Sequence, residues 1–393
     1  MGKKWIKAGG IVTMLLFVAG MITGCGGKGA STAGSDGIKI GVVYEMTGGT
    51  ATFGTAAANG AKLAAKEINA KGGVLGKQIQ LVIADNKSEP SESSNAMTKV
   101  ITQDKVVAVT GFTTSSNAIA ASSVAEANKI PFITAAATNP KVTVDEKTGK
   151  VKDNTFRVCF IDPFQGTVGA NFVFNELKLK NAAIMIDNSS DYSKGLASYF
   201  KDNFVKNGGT IVGEEAYLQK DQDFKTVLVK INSLNPEVIY VPGYYEEVAK
   251  IVKQARELGI TVPFVGGDGW DSPKLVEIGS PQALNNTFFS NHYSSDDNSP
   301  TVKTFVEAYK KEYNQTPDAF AALGYDAMYV MVDAIKRANS AEPAKIREAL
   351  AATKEFLAVT GKTAINENHD AVKAAVILEM KDGKQVYRAT VNP

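Results

Sequence analysis

The 393-residue chain is 44% hydrophobic and 21% charged, an ordinary globular composition that excludes a disordered polymer. It is too long for one average core, so two domains are expected. Its formal net charge of +2 falls to −1 once Lys3, Lys4 and Lys7 of the N-terminal segment are set aside, which leaves no basic footprint for nucleic acid.

The first segment joins those lysines to an apolar stretch from Ile11 to Met21. That run is short of the about 20 residues needed to span a bilayer but suits a secretory signal peptide. Met21-Ile22-Thr23-Gly24-Cys25 resembles the lipobox of bacterial lipoproteins, whose cysteine receives a diacylglycerol. Residues 1–24 are therefore expected to be a lipoprotein signal peptide, Cys25 the lipidation site, and the Gly/Ser-rich residues 25–37 a flexible tether. The protein is expected outside the cytoplasm, held to the bacterial cell membrane by its lipid. No later apolar run approaches spanning length.

From Ile38 the chain alternates short β-rich runs with helical patterns. Strands are expected at Ile38 to Tyr44, Gln78 to Ala84, Val106 to Thr110 and Phe132 to Thr134, with another suggested by alternation across Phe156 to Phe160. Helices are expected at Ala56 to Ala70, closed by Gly72-Gly73, then at Ser91 to Gln103 and Ser116 to Asn128. The pattern then restarts. Strands at Ala182 to Ile186, Thr210 to Ala216, Val238 to Val241 and Val262 to Val265 enclose helices at Gly195 to Asn207, Phe224 to Asn232 and Glu246 to Leu258. Helices Thr301 to Tyr313, Ala319 to Ala338 and Pro343 to Ala352 follow, then a hairpin of Ala374 to Met380 and Gln385 to Thr390 around Asp382-Gly383. Continuous apolar strands separated by helices indicate α/β architecture: two doubly wound parallel-sheet lobes.

In open α/β sheets ligands sit beyond the carboxyl ends of the strands. Gly111 to Asn117 and Thr134 to Pro140 are small, hydroxyl-rich and uncharged, and the first opens into a helix. Such loops present backbone N–H groups to an anion such as a carboxylate, with Ser115 and Thr138 able to complete the seat; ordinary helix capping accounts for the same residues. The loop Thr47 to Gly54 faces the same place but matches neither nucleotide-binding glycine pattern. In the second half, Asp187 to Tyr192, Gly243-Tyr244-Tyr245 and Gly266-Gly267-Asp268-Gly269-Trp270 end strands. An acid among glycines with rings nearby suits an ammonium group, although a turn aspartate reads the same way. Cys159 is expected to be a buried hydrophobe. His292 and His369 are 77 positions apart, and Asp296 and Asp297 near the former read as a solvated loop. No metal set or nucleophile–base pair emerges, so neither an enzyme nor a cofactor is expected.

Several segments carry a family resemblance: Glu67 to Val74, Gly111 to Ser123, Ile133 to Thr138, Pro242-Gly243-Tyr244, Gln254 to Gly259 and Gly266 to Gly269. From Ile38 onward the chain resembles the bacterial leucine/isoleucine/valine-binding proteins, substrate-binding subunits of ABC importers with the type I periplasmic-binding-protein fold. The resemblance implies that Ser115, the backbone at Ala136, and Thr138 bind the ligand carboxylate. It places Asp268 on the α-ammonium, Tyr192 and Tyr244 as flanking rings, and Phe53 and Phe320 along the side-chain pocket. Aspartate stands at 268 where the best-known members have glutamate, and Ser88 and Thr114 replace the cysteines of a disulfide found in some relatives. It also implies a hinge of three crossings near Phe160, His292 and Val372. Lobe 1 would then be 38–160 and 292–371, and lobe 2 161–291 and 372–393. The implied partners are a free amino acid and ABC permease subunits, with the receptor itself a monomer. A receptor for a polar or aromatic amino acid, an amide or an aromatic acid, or a sensor subunit, would keep the same loops.

Overall fold

The computed structural model describes residues 37–393; the signal segment, Cys25 and all but the last residue of the tether lie outside the described residues. The first lobe is built on β1 (Ile38–Tyr44), α1 (Ala51–Ala70), β2 (Ile79–Asp85), α2 (Pro90–Thr102), β3 (Ala108–Gly111), α3 (Ser115–Asn128), β4 (Phe132–Thr134) and β5 (Thr155–Arg157). Its five strands run in the order β2-β1-β3-β4-β5, all parallel. Helices cover both faces, which is why β1, β3 and β4 are almost wholly buried.

The second lobe repeats the plan with α4 (Asp162–Asn171), β6 (Asn181–Asp187), α5 (Asp191–Lys206), β7 (Thr210–Tyr217), α6 (Lys225–Asn232), β8 (Val238–Val241), α7 (Tyr245–Glu257), β9 (Phe264–Gly266), α8 (Pro273–Gly279) and β10 (Thr287–Asn291). Its parallel strands run β7-β6-β8-β9-β10, the same order as in the first sheet. The chain then returns to the first lobe with α9 (Pro300–Tyr313), α10 (Ala319–Ala338) and α11 (Pro343–Ala351). A small antiparallel sheet follows, made of β11 (Phe356–Ala358), β12 (Gly361–Ile365) and β13 (Ala371–Val372). The terminal hairpin, β14 (Ala375–Lys381) and β15 (Lys384–Val391), adds to the second sheet, with β14 antiparallel to β10. Asp382 and Gly383 both have positive φ, as a two-residue hairpin turn requires.

Each sheet therefore has a topological switch point beside its first strand, and crevices form there at carboxyl strand ends. The two crevices face each other. Helix α10 lies along α1 because each contributes a glycine at the closest approach. A Cβ on Gly60 would fall 2.0 Å from the Ala321 carbonyl oxygen, and one on Gly324 2.1 Å from that of Ala57.

Several local expectations are corrected. Helix α1 starts at Ala51, not Ala56, so Phe53 and Gly54 stand on its first turn and the loop after β1 is only residues 45–50. The added turn, Ala51 to Thr55, carries a glycine and two threonines, so it rests on the burial of Phe53 and Gly54 rather than on helix propensity. Helices α4 and α8, strand β10 and the small sheet were not anticipated. Cys159 is fully buried, and burial pushes its thiol up to about 12.

Candidate functional site

The first lobe presents the loop entering α3 and the loop after β4, each held from behind by a buried charge. Glu45, the residue after β1, is fully buried. Its carboxylate accepts the Thr113 amide at 2.9 Å, the Thr113 hydroxyl at 2.7 Å, the Thr114 amide at 3.3 Å, the Thr114 hydroxyl at 3.1 Å and the Asn117 amide nitrogen at 3.1 Å. Two of the N–H groups that the sequence suggests are free for an anion are thus already taken by an internal carboxylate. What this face offers the cleft is Ser115 together with Ala136 and Thr138.

Arg157 supports the second loop. It donates to the carbonyls of Ala137 (2.6 Å) and Asn139 (2.9 Å), and its Nε lies 2.7 Å from Asp370 Oδ1. Both members of this ion pair are buried, so the loop geometry rests on a pair that is costly to break. The Ser115 hydroxyl accepts the Asn139 amide at 3.2 Å and ties the two loops together.

The second lobe presents Asp268 on a short 3-10 turn, Asp268–Trp270, after β9. Its carboxylate is oriented by three donors. Oδ1 accepts Gln165 Nε2 at 2.9 Å and the Tyr192 hydroxyl at 3.0 Å, and Oδ2 lies 3.0 Å from His292 Nε2. Gln165 also donates to the Ser290 hydroxyl at 3.0 Å. Tyr192 and Tyr244 stack at 5.3 Å with planes 7° apart, and burial holds both phenols well above their ordinary pKa. Neither ring therefore carries an anion, and Tyr192 turns its hydroxyl toward the acid. Gly267 permits this crowding, since a Cβ there would lie 2.3 Å from the Tyr192 hydroxyl and 2.9 Å from Gln165 Nε2.

These groups converge on one small cavity, bordered by Thr113, Ser115, Ala136 and Thr138 from the first lobe and Tyr192, Tyr244, Asp268 and Gly269 from the second, with Phe320 from α10. All the residues expected at the site reach its edge except Phe53. Phe53 stacks on Phe320 from behind (4.0 Å, 18°) and meets Tyr244 edge-on at 5.8 Å. One wall of the cavity is thus hydroxyl-bearing and uncharged, the opposite wall holds a fixed carboxylate, and the floor between them is aromatic. A larger open cleft lies outside it, shared by both lobes.

Sequence reasoning missed Glu45, Gln165, Ser290 and His292. Glu45 was findable, because it directly follows a strand whose carboxyl end faces the crevice. Gln165 and His292 ride on α4 and the end of β10, two elements the sequence pattern did not reveal. His292 is buried against Phe160, stacked at 3.8 Å, whereas Asp296 and Asp297 are exposed. Among the described residues no group of His, Cys, Asp and Glu is placed to hold a metal ion.

The family model described as periplasmic binding protein matches residues 37–385. The chain belongs to the periplasmic binding protein family. Among its relatives is the Leu/Ile/Val-binding protein BraC3 of Rhizobium johnstonii, 34% identical over 90% of this chain and 94% of that one. The branched-chain amino acid transporter substrate-binding protein LivJ of Streptococcus pneumoniae, solved in complex with isoleucine, superposes with a TM-score of 0.85. It is 39% identical, covering 91% of this chain and all of the other. A solute-binding protein of R. palustris in complex with benzoate gives 0.81 at 25% identity, covering 91% and 97%. The two lobes here are those of a type I periplasmic binding protein, a family of substrate-binding transport proteins rather than enzymes. Among the described residues no helix is long and apolar enough to cross a membrane.

Proposed function

We propose that this periplasmic binding protein is the lipid-anchored receptor of an ABC importer, capturing free leucine, isoleucine or valine between its lobes and delivering it to the permease. The observation that carries the reading is Asp268, a carboxylate held by three donors across a small cavity from hydroxyl-bearing loops. A zwitterion fits that polarity. Its carboxylate meets Ser115, the Ala136 backbone and Thr138, and its ammonium meets Asp268 beside the stacked Tyr192 and Tyr244 rings. An apolar side chain then lies against Phe320, backed by Phe53.

The connections at 158–161, 292–299 and 373–374 act as the hinge. The ligand touches both lobes only when they meet, so its binding draws the receptor closed. The relatives that bind branched-chain amino acids support the aliphatic preference, and the lipobox-like segment ending in Cys25 supports anchoring. The benzoate-binding relative raises a second reading, an aromatic acid without an ammonium. A fixed carboxylate opposite the seat disfavours that ligand.

Trp270 is buried two residues from Asp268 and is the only tryptophan among the described residues. Titration of the mature, refolded protein with the twenty amino acids, followed by its fluorescence and by calorimetry, tests the reading. Saturable binding of leucine, isoleucine or valine that disappears in Asp268→Ala is expected; heat from benzoates alone refutes it.

A further inference from the structure

Of the two donors to Asp268 that no motif suggested, Gln165 and His292, only the histidine can change charge, and its surroundings define its protonation state. The ring is buried between Phe160, stacked at 3.8 Å, and the carboxylate of Asp268. Nε2 lies 3.0 Å from Asp268 Oδ2, while Nδ1 is buried with no hydrogen-bond partner. The single proton of a neutral imidazole therefore belongs on Nε2, where it has an acceptor. A second proton, on Nδ1, would be a buried donor with nothing to receive it.

The other charges near the ring are Asp271 and Lys373. Asp271 already accepts Asn291 Nδ2 at 2.9 Å, the Ala319 amide at 2.8 Å and Gln385 Nε2 at 2.6 Å. Lys373 donates to the Val158 carbonyl at 3.2 Å and to the Thr360 hydroxyl. Neither offers an acceptor to Nδ1, and Lys373 disfavours a second cation nearby.

With His292 neutral, Asp268 keeps a full negative charge for an ammonium. With His292 charged, the same carboxylate already has a cation 3.0 Å away, and an incoming ammonium meets repulsion instead of a net anion. We propose that His292 is the positioning residue of the ammonium site and that it makes capture acid-sensitive, because a proton taken up at Nδ1 competes with the ligand ammonium for Asp268. This inference rests on the amino-acid reading above. Burial independently lowers the His292 pKa below its ordinary value, against the pull of Asp268, so the site is neutral-histidine and competent at neutral pH. Ligand binding lowers the pKa further. As pH drops from the free-state to the bound-state pKa of His292, affinity falls by up to about tenfold per pH unit; Asp162, also coupled to Asp268 and pushed up to about 8 by burial, acts on the alkaline side of this step.

The chain has only two histidines, so nitrogen NMR of histidine-labelled protein resolves His292 directly. The expected result is an Nε2–H tautomer at pH 7.5, with a pKa at least about one unit lower in leucine-saturated than in free protein. H292Q, which keeps a neutral N–H donor, is expected to bind leucine better than H292A and to lack the histidine-dependent acid step. An Nδ1–H tautomer, equal pKa values in the two states, or the same acid step in H292Q overturns the inference while intact leucine binding leaves the function standing. Failure of every amino acid to bind at pH 7.5 overturns the function, and this inference with it.

Discussion

Ser116 and Asp191, on helices of opposite lobes, exchange two hydrogen bonds: the serine hydroxyl donates to the aspartate carboxylate at 2.9 Å and accepts the aspartate amide at 3.1 Å. Asn139 adds a third by donating to the Asp191 carbonyl at 2.8 Å. Lobe-to-lobe bonds also join Tyr245 to Gly49 and Ser272 to Thr52. None of these groups borders the inner cavity, yet Asp191 immediately precedes Tyr192. A hydrogen bond of this kind contributes about 0.5–1.5 kcal/mol. Asp191→Ala should therefore weaken leucine binding about three- to tenfold. The loss should appear in a faster dissociation rate in stopped-flow fluorescence, with the association rate little changed. Unaltered dissociation would show that this contact does not hold the closed state.

Gly267→Ala tests the crowding around the acid. The added methyl collides with the Tyr192 hydroxyl and with Gln165 Nε2, the two donors to Asp268 Oδ1. Both donors must swing away, leaving a buried acceptor underpaired at a cost of about 1–3 kcal/mol. Leucine affinity should fall by at least about tenfold while the thermal midpoint moves by only a few degrees. Wild-type affinity in calorimetry would mean that these donors do not set the site.

Asp162, at the start of α4, has both carboxylate oxygens buried without a hydrogen-bond partner, and burial pushes its pKa up to about 8. Its unfolded value lies near 3.8. Between those values the folded chain holds a proton that the unfolded chain has released, so stability falls as pH rises through this window. The largest slope is about 1.4 kcal/mol per pH unit. Asp162→Asn should be more stable than wild type, by a margin that widens from pH 4 to pH 8 in urea denaturation. A constant margin would show that the group does not titrate there.

Arg157→Met should cost about 3–5 kcal/mol in urea denaturation, because it strands the buried Asp370 carboxylate and releases the Ala137 and Asn139 carbonyls. The double variant R157M/D370L should recover part of that loss. A double variant less stable than R157M would show that the ion pair is not the source of the cost.

The sequence reading was strongest where chemistry and periodicity coincide. Ser115, Ala136, Thr138, Tyr192, Tyr244 and Asp268 each follow a strand with a clear apolar run, so topology alone brings them together. Phe53 lay one layer deeper than expected because its helix begins earlier. The groups that orient the acid were not legible. Gln165 sits on a short helix that carries Gly166 and Gly169, and His292 follows a strand paired parallel to β9 and antiparallel to β14 of the terminal hairpin. The burial that gives His292 its role arises from tertiary packing against Phe160, which no local pattern encodes.

The glycine pair that brings α1 against α10 also locks Phe53 onto Phe320, since each helix carries one of these rings on its first turn. The aromatic floor thus belongs to one rigid lobe, while the acid belongs to the other. For a receptor that shuts on its ligand, this imposes an order of inspection. A side chain of the wrong shape is rejected on encounter, whereas a missing ammonium is discovered only when the lobes commit. Impostors of the first kind should leave at the speed of diffusion, and those of the second only after a failed closure.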